Sequence, residues 1–254
     1  MSHPSREAQL LLEELGWSAP GDLTVEEMAY ACGLMIQRKE MEGSDGHILM
    51  NGSMGIINVN VAISYQPKIN YVIAHEIGHA RLHRQLSFFA DNKKTLNEWY
   101  AKGPQEKEAN EFAAELLMPE ALFKKKVSKE KLSVKLIESV ATYFGTSKTA
   151  TFLRYREHGE YPVMVIFVEN GVIKWKQPSD DFPYKWLSLD TRLPSYTVAG
   201  DHYYRQVLEP VPEKVDAIEW FPEDYTAQRE PHRKLWEQCF PVGENSLVTC
   251  IWTP

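Results

Sequence analysis

The sequence contains the five-residue motif His75-Glu76-Ile77-Gly78-His79, which limits the structures that this part of the chain can form. On an α-helix, His75 and His79 lie one turn apart on the same face. Two imidazoles in that arrangement can bind one tetrahedral metal ion, and zinc suits them best. The apolar residues that lead into the motif indicate that the start of this helix is buried. We therefore predict a buried, metal-binding helix.

The glutamate of the motif predicts catalysis. Glu76 follows the first histidine directly and projects about 100° further around the helix axis. Its carboxylate can therefore reach a metal-bound water molecule, whose pKa a Lewis-acidic ion lowers to about 7. The pattern H-E-x-x-H is typical of zinc hydrolases, and we expect Glu76 to be the general base. No residue is assigned to stabilise the oxyanion, for which the sequence offers Tyr65, Tyr71 and Tyr143.

A second helix, predicted over residues 105–117, supplies candidates for a third ligand. One of its faces is formed mostly of small residues and carries a single carboxylate; its members are Glu106, Ala109, Asn110, Ala113 and Leu117. An inward-facing carboxylate is costly unless it is paired or binds a metal. We therefore predict Glu106 as the third ligand, and we expect Asn110 to hydrogen-bond a ligating side chain.

Three further glutamates, Glu108, Glu111 and Glu115, share a different face of this helix and are predicted to form a solvated acidic surface. Glu108 and Glu111 remain alternatives for the third ligand. His83 lies one turn beyond His79, near the ligand face. We expect His83 to be structural rather than a fourth ligand, because a catalytic zinc keeps one coordination position open.

The segments HEIGHARLH, at His75–His83, and EKEANEFAAELLMP, at Glu106–Pro119, together resemble the two signatures of the ImmA/IrrE-type metallopeptidases. The resemblance implies His75, His79 and Glu106 as metal ligands and Glu76 as general base, in agreement with the helix faces. Members of this family cleave a partner helix-turn-helix repressor and thereby induce stress-response or mobile-element genes. The resemblance therefore implies proteolysis of such a partner.

The sequence predicts an α+β protein in three parts. Residues 1–128 are expected to form a zincin-like metallopeptidase domain with a small sheet, and residues 129–160 a helix-turn-helix-like segment. Residues 161–254 are expected to form an α+β domain that the resemblance implies to be regulatory or sensor-like. Helices are predicted near residues 5–17, 24–32, 95–100, 134–144 and 147–156. Strands are predicted over residues 34–39 and 47–63, in a hairpin around Asn170-Gly171, and near residues 195–198 and 246–252.

The basic residues are unevenly distributed. The chain has a net charge of −7, yet residues 124–156 carry nine Lys or Arg against two acidic residues. Lys148, Arg154 and Arg156 lie on or near the second helix of the helix-turn-helix-like segment, where contacts to DNA phosphates are physically reasonable. That helix carries few base-reading side chains, so we favour a packing role over DNA binding.

The composition indicates a cytoplasmic protein. The longest apolar segments fall short of the ~20 residues that span a bilayer, and the first residues lack the features of a signal peptide. Three widely spaced cysteines predict neither a disulfide framework nor a metal-binding pair. We therefore expect no membrane partner, and no oligomeric state is predicted.

These observations together predict a single-zinc endopeptidase. Two histidines and one glutamate also suit other divalent ions, and Mn²⁺ is the alternative. The rival hypothesis is a metal-bound regulator or DNA-binding module that acts by association without cleavage.

Overall fold

The computed structural model describes residues 1–83 and 103–254, together with the backbone of residues 88–90. The helices of these residues are α1 (His3–Glu14), α2 (Val25–Ala31), α3 (Gln66–Leu82), α4 (Pro104–Leu117), α5 (Glu120–Val127), α6 (Val134–Phe144), α7 (Lys148–His158), α8 (Val198–Arg205), α9 (Ala217–Trp220) and α10 (Tyr225–Arg229). The strands are β1 (Leu34–Lys39), β2 (Gly46–Asn51), β3 (Met54–Asn60), β4 (Phe88–Ala90), β5 (Val163–Glu169), β6 (Val172–Pro178), β7 (Glu213–Asp216), β8 (Lys234–Gly243) and β9 (Ser246–Trp252). This mixture confirms the predicted α+β class. None of the described helices combines the length and hydropathy required to cross a bilayer.

The chain folds into two compact units. The first contains residues 1–123 and 141–147, and the second contains residues 124–140 and 148–254. The three-part division with boundaries after residues 128 and 160 stays a prediction. The helix expected near residues 95–100 lies outside the described residues.

The first unit contains a four-stranded sheet with the strand order β1-β3-β2-β4. β1 runs parallel to β3, whereas β2 is antiparallel to both of its neighbours. Leu34, Ile48 and Ile57 contribute side chains of this sheet to the core that also contains α3. Gly52, with φ of +63°, lies in the tight turn between β2 and β3, which confirms the predicted hairpin.

α1 covers a face of α4 that the sequence predicts to be solvated. The hydroxyls of Ser2 and Ser5 donate hydrogen bonds to Glu111, and the Gln9 amide donates to Glu115 at 2.8 Å. Glu115 is only 2% exposed. The predicted acidic surface is therefore wrong at this residue, because the helical period of α4 does not reveal a helix that packs on it from 106 residues away in the chain.

The two helices of the predicted helix-turn-helix-like segment are confirmed as α6 and α7, with Gly145 at φ of +66° between them. Much of α7 is buried, since its buried residues are Thr149, Thr151, Phe152, Leu153, Arg154 and Tyr155. Few side chains of α7 are therefore exposed to solvent. α5, which precedes this pair, was not predicted from the sequence.

The second unit contains a five-stranded antiparallel sheet with the order β6-β5-β9-β8-β7. Asn170 and Gly171 have φ of 51° and 70°, as the predicted hairpin turn requires. The strand predicted near residues 195–198 is wrong. Thr197 is instead the N-cap of α8, where its hydroxyl accepts a hydrogen bond from the backbone of Gly200 at 3.0 Å.

A buried carboxylate joins the sheet of the second unit to its helices. Glu237 on β8 is 0% exposed. It accepts four hydrogen bonds of 2.9–3.0 Å, from the backbone N–H groups of Val198 and Ala199, the Trp220 indole and the Thr249 hydroxyl. Burial raises the pKa of Glu237 above its ordinary value of 4.5, although these donors oppose the rise.

Candidate metal centre

The helix that carries the motif is buried along most of its length. α3 has Pro67 in its first turn, where a missing backbone N–H costs nothing, and it ends at Leu82. Every residue from Val72 to Ala80 is buried. His75, Glu76 and His79 are each no more than 2% exposed. The predicted buried helix is therefore present, and its polar residues face the interior of the first unit.

Three ligand-type atoms converge between α3 and α4. The Nε2 atoms of His75 and His79 lie 3.0 Å apart. Glu106 places one carboxylate oxygen 3.5 Å from Nε2 of His75 and the other 3.3 Å from Nε2 of His79. Among the described residues, these three form the group of side chains that could hold a metal ion.

The spacing of these atoms fits a metal ion. A tetrahedral ion with bonds of about 2.0–2.1 Å holds its ligand atoms about 3.3 Å apart. The observed separations of 3.0–3.5 Å lie around that value. Two imidazole nitrogens and one carboxylate oxygen are also a donor set that binds catalytic zinc. The residues present therefore fit one divalent ion, whose identity this geometry does not select.

A glycine allows the two helices to approach each other closely. A β-carbon at Gly78 would lie 3.1 Å from Cδ1 of Phe112 and 3.3 Å from both Cα and the carbonyl oxygen of Ala109. The backbone of α3 at Gly78 is therefore packed against the backbone of α4. This contact brings the carboxylate of Glu106 within reach of both imidazoles.

The electrostatics of the centre favour an ionised Glu106. Burial by itself would raise the pKa of this carboxyl. Hydrogen bonds and charges from His75 and His79 outweigh burial and hold the pKa of Glu106 well below its usual range. The carboxylate is thus poised as an anionic ligand.

Glu76 lies beside the centre but outside the group of three. A β-carbon placed on Gly46 would clash with Cγ1 of Val72 and would lie 3.4 Å from Oε1 of Glu76. The start of β2 therefore passes close to α3 only because residue 46 lacks a side chain. Glu76 is not among the three clustered side chains, and its action beside the ion rather than as a ligand stays a prediction.

The alternative ligands are engaged elsewhere. Glu108 lies 3.4 Å from Nε2 of His83, which also lies 3.3 Å from the backbone carbonyl of Gln105. Glu111 accepts hydrogen bonds from α1. The structure therefore brings Glu106, and neither alternative, to the two histidines. His83 contacts the start of α4 and is not part of the group, as expected for a structural histidine.

The expected partner of Asn110 differs from the observed one. Asn110 accepts a hydrogen bond from the hydroxyl of Tyr71, four residues before His75 on α3. The ring centroids of Tyr71 and His75 are 5.8 Å apart. Burial, reinforced by the charges of Glu106 and Glu76, raises the pKa of Tyr71, so its hydroxyl stays protonated. The position of Tyr71 one helical turn before His75 can be read from the sequence, whereas its hydrogen bond to Asn110 cannot.

Comparison with known protein families agrees with this geometry. The family profile described as the IrrE N-terminal-like domain, Peptidase_M78, matches residues 31–155. Residues 31–155 are an IrrE N-terminal-like domain. The match confirms the family predicted from the two signatures, and with it the zincin-like fold class.

A solved structure extends the likeness beyond the IrrE N-terminal-like domain. The chain is similar to a Mycobacterium tuberculosis transcriptional regulator with a TM-score of 0.62 and 12% sequence identity. The alignment covers 100% of this chain and 76% of the other. At this identity the similarity concerns the fold alone. A search of curated proteins finds no match.

Proposed function

We propose that this protein is a metal-dependent endopeptidase that hydrolyses a peptide bond in a partner protein. The observation that carries the proposal is the convergence of two imidazoles and one carboxylate at 3.0–3.5 Å beside a further buried carboxylate. His75, His79 and Glu106 would hold the ion. We propose Zn²⁺, with Mn²⁺ as the alternative, because this donor set suits both.

Glu76 is the proposed catalytic residue. A bound zinc ion would supply Lewis-acid polarisation of the scissile carbonyl and would acidify a water molecule. Glu76 accepts one proton from the attacking water, whose oxygen forms a bond to the carbonyl carbon. As the C–N bond breaks, Glu76 delivers that proton to the leaving amine and returns to its carboxylate form. The burial of Glu76 strengthens its interaction with the water by lowering the local dielectric constant.

The proposed substrate is a helix-turn-helix transcriptional repressor. The family resemblance supports this part of the proposal, and cleavage of the repressor would induce the stress-response or mobile-element genes that it silences. A cytoplasmic location, predicted from the sequence, belongs to the same proposal. The similar solved structure is named a transcriptional regulator, which describes that protein and agrees with a regulatory setting.

A comparison of new protein N-termini tests the proposal. Extract of the source cells is incubated with the metal-loaded wild type or with metal-loaded Glu76→Gln. We expect cuts that appear only with the wild type, and the cut protein identifies the substrate. An identical set of N-termini from both proteins at full metal occupancy would overturn the proposal.

The rival function is association without cleavage, as a regulator or DNA-binding module. Lys148, a predicted phosphate contact, lies 2.9 Å from Glu138 and 4.7 Å from the ring centroid of Phe240. These contacts and the burial of α7 favour a packing role for this helix. If it binds DNA, affinity should fall steeply with salt and Lys148→Ala should reduce the slope. Absent or salt-insensitive binding would remove the DNA hypothesis.

A further inference from the structure

Two side chains link the metal-bearing helices one turn away from the ligands. Tyr71 lies four residues before His75 on α3, and Asn110 lies four residues after Glu106 on α4. The Tyr71 hydroxyl donates a hydrogen bond to the Asn110 carboxamide oxygen across the helix interface. Asn110 is only 7% exposed. The pair therefore joins the same two faces that present the imidazoles and the carboxylate.

The backbone contact between the helices does not by itself fix Glu106. Gly78 and Ala109 set how closely α3 and α4 approach, but small residues in contact allow one helix to rotate about its own axis. A side chain reaches about 5–6 Å from the helix axis, so a rotation of 10° moves its end by about 1 Å. A metal site tolerates displacements of only about 0.2 Å in its bond lengths. Rotation of α4 must therefore be restrained by a directional contact.

The Tyr71–Asn110 hydrogen bond is such a contact. Its length and angle limit the rotation of α4, because Asn110 and Glu106 lie on the same face of that helix. A phenol carries one proton, and Tyr71 gives it to Asn110. The Tyr71 hydroxyl therefore donates its hydrogen bond to α4 and does not stabilise the oxyanion in this arrangement.

We propose that Tyr71 and Asn110 are positioning residues that set the rotation of α4 and thereby place Glu106 against His75 and His79. The inference rests on the proposed metal centre. It adds that two residues other than the three ligands determine the geometry of that centre. Removal of either partner leaves α4 held by its hydrogen bonds to α1, which engage Glu111 and Glu115 rather than the side that faces α3, so that the third ligand samples a wider range of distances from the ion.

Metal binding by single and double variants tests the proposal. Tyr71→Phe keeps the ring and its packing while it removes the hydroxyl, and Asn110→Ala removes the acceptor. Tyr30→Phe is the matched control, because Tyr30 lies on α2 in the same unit and is 55% exposed. The Zn²⁺ dissociation constant is measured by competition with a chelator, and the visible spectrum of the Co²⁺-substituted protein reports the ligand geometry.

We expect Tyr71→Phe and Asn110→Ala each to weaken Zn²⁺ binding by about tenfold and to change the Co²⁺ spectrum, with the control unchanged. The double variant should bind no more weakly than the weaker single variant, because both changes break one contact. Wild-type affinity and spectrum in Tyr71→Phe would overturn the proposal, and so would additive losses in the double variant. If Asn110→Ala does not fold, Tyr71→Phe alone decides.

The same experiment separates this inference from the proposed function. A wild type that binds no Zn²⁺ contradicts the metal centre itself. Loss of turnover in Tyr71→Phe with unchanged Zn²⁺ affinity would instead give the hydroxyl a direct role towards substrate and would overturn its positioning role.

Discussion

Gly78 on α3 lies against the backbone of Ala109 on α4, at a distance that leaves little room for a side chain. A β-carbon there would lie 3.3 Å from both Cα and the carbonyl oxygen of Ala109. The glycine at the fourth position of the H-E-x-G-H motif therefore contributes both to the helix packing and to the geometry of the site. It fixes the helix spacing that brings Glu106 to the two histidines.

Gly78→Ala should lower the Zn²⁺ affinity with only a small change in the free energy of unfolding. The added methyl forces the helices apart by a few tenths of an ångström, which costs about 1–3 kcal/mol by overpacking. Alanine also favours the helix by about 1 kcal/mol over glycine, so the net loss of unfolding free energy should be small. Zn²⁺ affinity should nevertheless fall, because Glu106 moves with α4. Chemical denaturation of the metal-free protein and a chelator titration measure the two effects, and unchanged Zn²⁺ affinity would contradict this account.

Glu106→Ala should abolish tight metal binding. With the carboxylate removed, two imidazoles remain, and we expect the Zn²⁺ affinity to fall by at least about 100-fold. Glu108→Ala is the matched control, because Glu108 pairs with His83 and lies outside the cluster.

A chelator adds a second readout for the same pair of variants. Bound metal stabilises the folded state by mass action, so EDTA should lower the unfolding temperature of the wild type and of Glu108→Ala but not that of Glu106→Ala. Full Zn²⁺ occupancy in Glu106→Ala would refute Glu106 as the third ligand.

The convergence of His75, His79 and Glu106 could be predicted from the sequence because most of the information is local. His75 and His79 are one turn apart, so any helix through them brings their rings together. Glu106 required a different argument, since only the apolar character of its helix face distinguished it from Glu108. The structure brings Glu106 to the two histidines, as expected for an inward carboxylate that needs a partner, and its role as a ligand stays a prediction.

The errors arose where distant segments decide the outcome. Glu115 was predicted to be solvated because the residue pattern of its own helix does not indicate that α1 packs there through Gln9. The segment before Val198 looked like a strand, yet the hydroxyl of Thr197 caps a helix instead. The hydrogen bond between Tyr71 and Asn110 depends on the antiparallel register of two helices, which no single-helix pattern contains.

Glu76→Gln should retain the metal and lose activity. Glutamine has nearly the same shape as glutamate but cannot accept a proton, so the rate of peptide hydrolysis should fall by about 10²–10⁴-fold. Metal content, measured on the same samples, should match the wild type because Glu76 is not one of the three clustered ligands. An active, metal-loaded Glu76→Gln protein would assign the base to another residue.

The buried Glu237 should make the stability of the protein depend on pH. Because burial raises its folded-state pKa above the ordinary value of 4.5, the folded state binds the proton more tightly than the unfolded state does. Its contribution to stability is therefore fully present below that ordinary value, which holds in the unfolded state, and is lost as the pH rises through the folded-state pKa. The loss reflects the cost of a buried charge, which the four donors to this carboxylate only partly offset.

Glu237→Gln isolates this effect, because glutamine does not titrate. The unfolding free energy of the wild type minus that of the variant should decrease from pH 4 to pH 8 when both are measured by chemical denaturation. Glu244→Gln is the control, because Glu244 lies in the turn that follows β8 and is exposed to solvent. A pH-independent difference for Glu237→Gln would mean that the four donors fully balance burial. The carboxylate would then act as a fixed anion that anchors the first turn of α8.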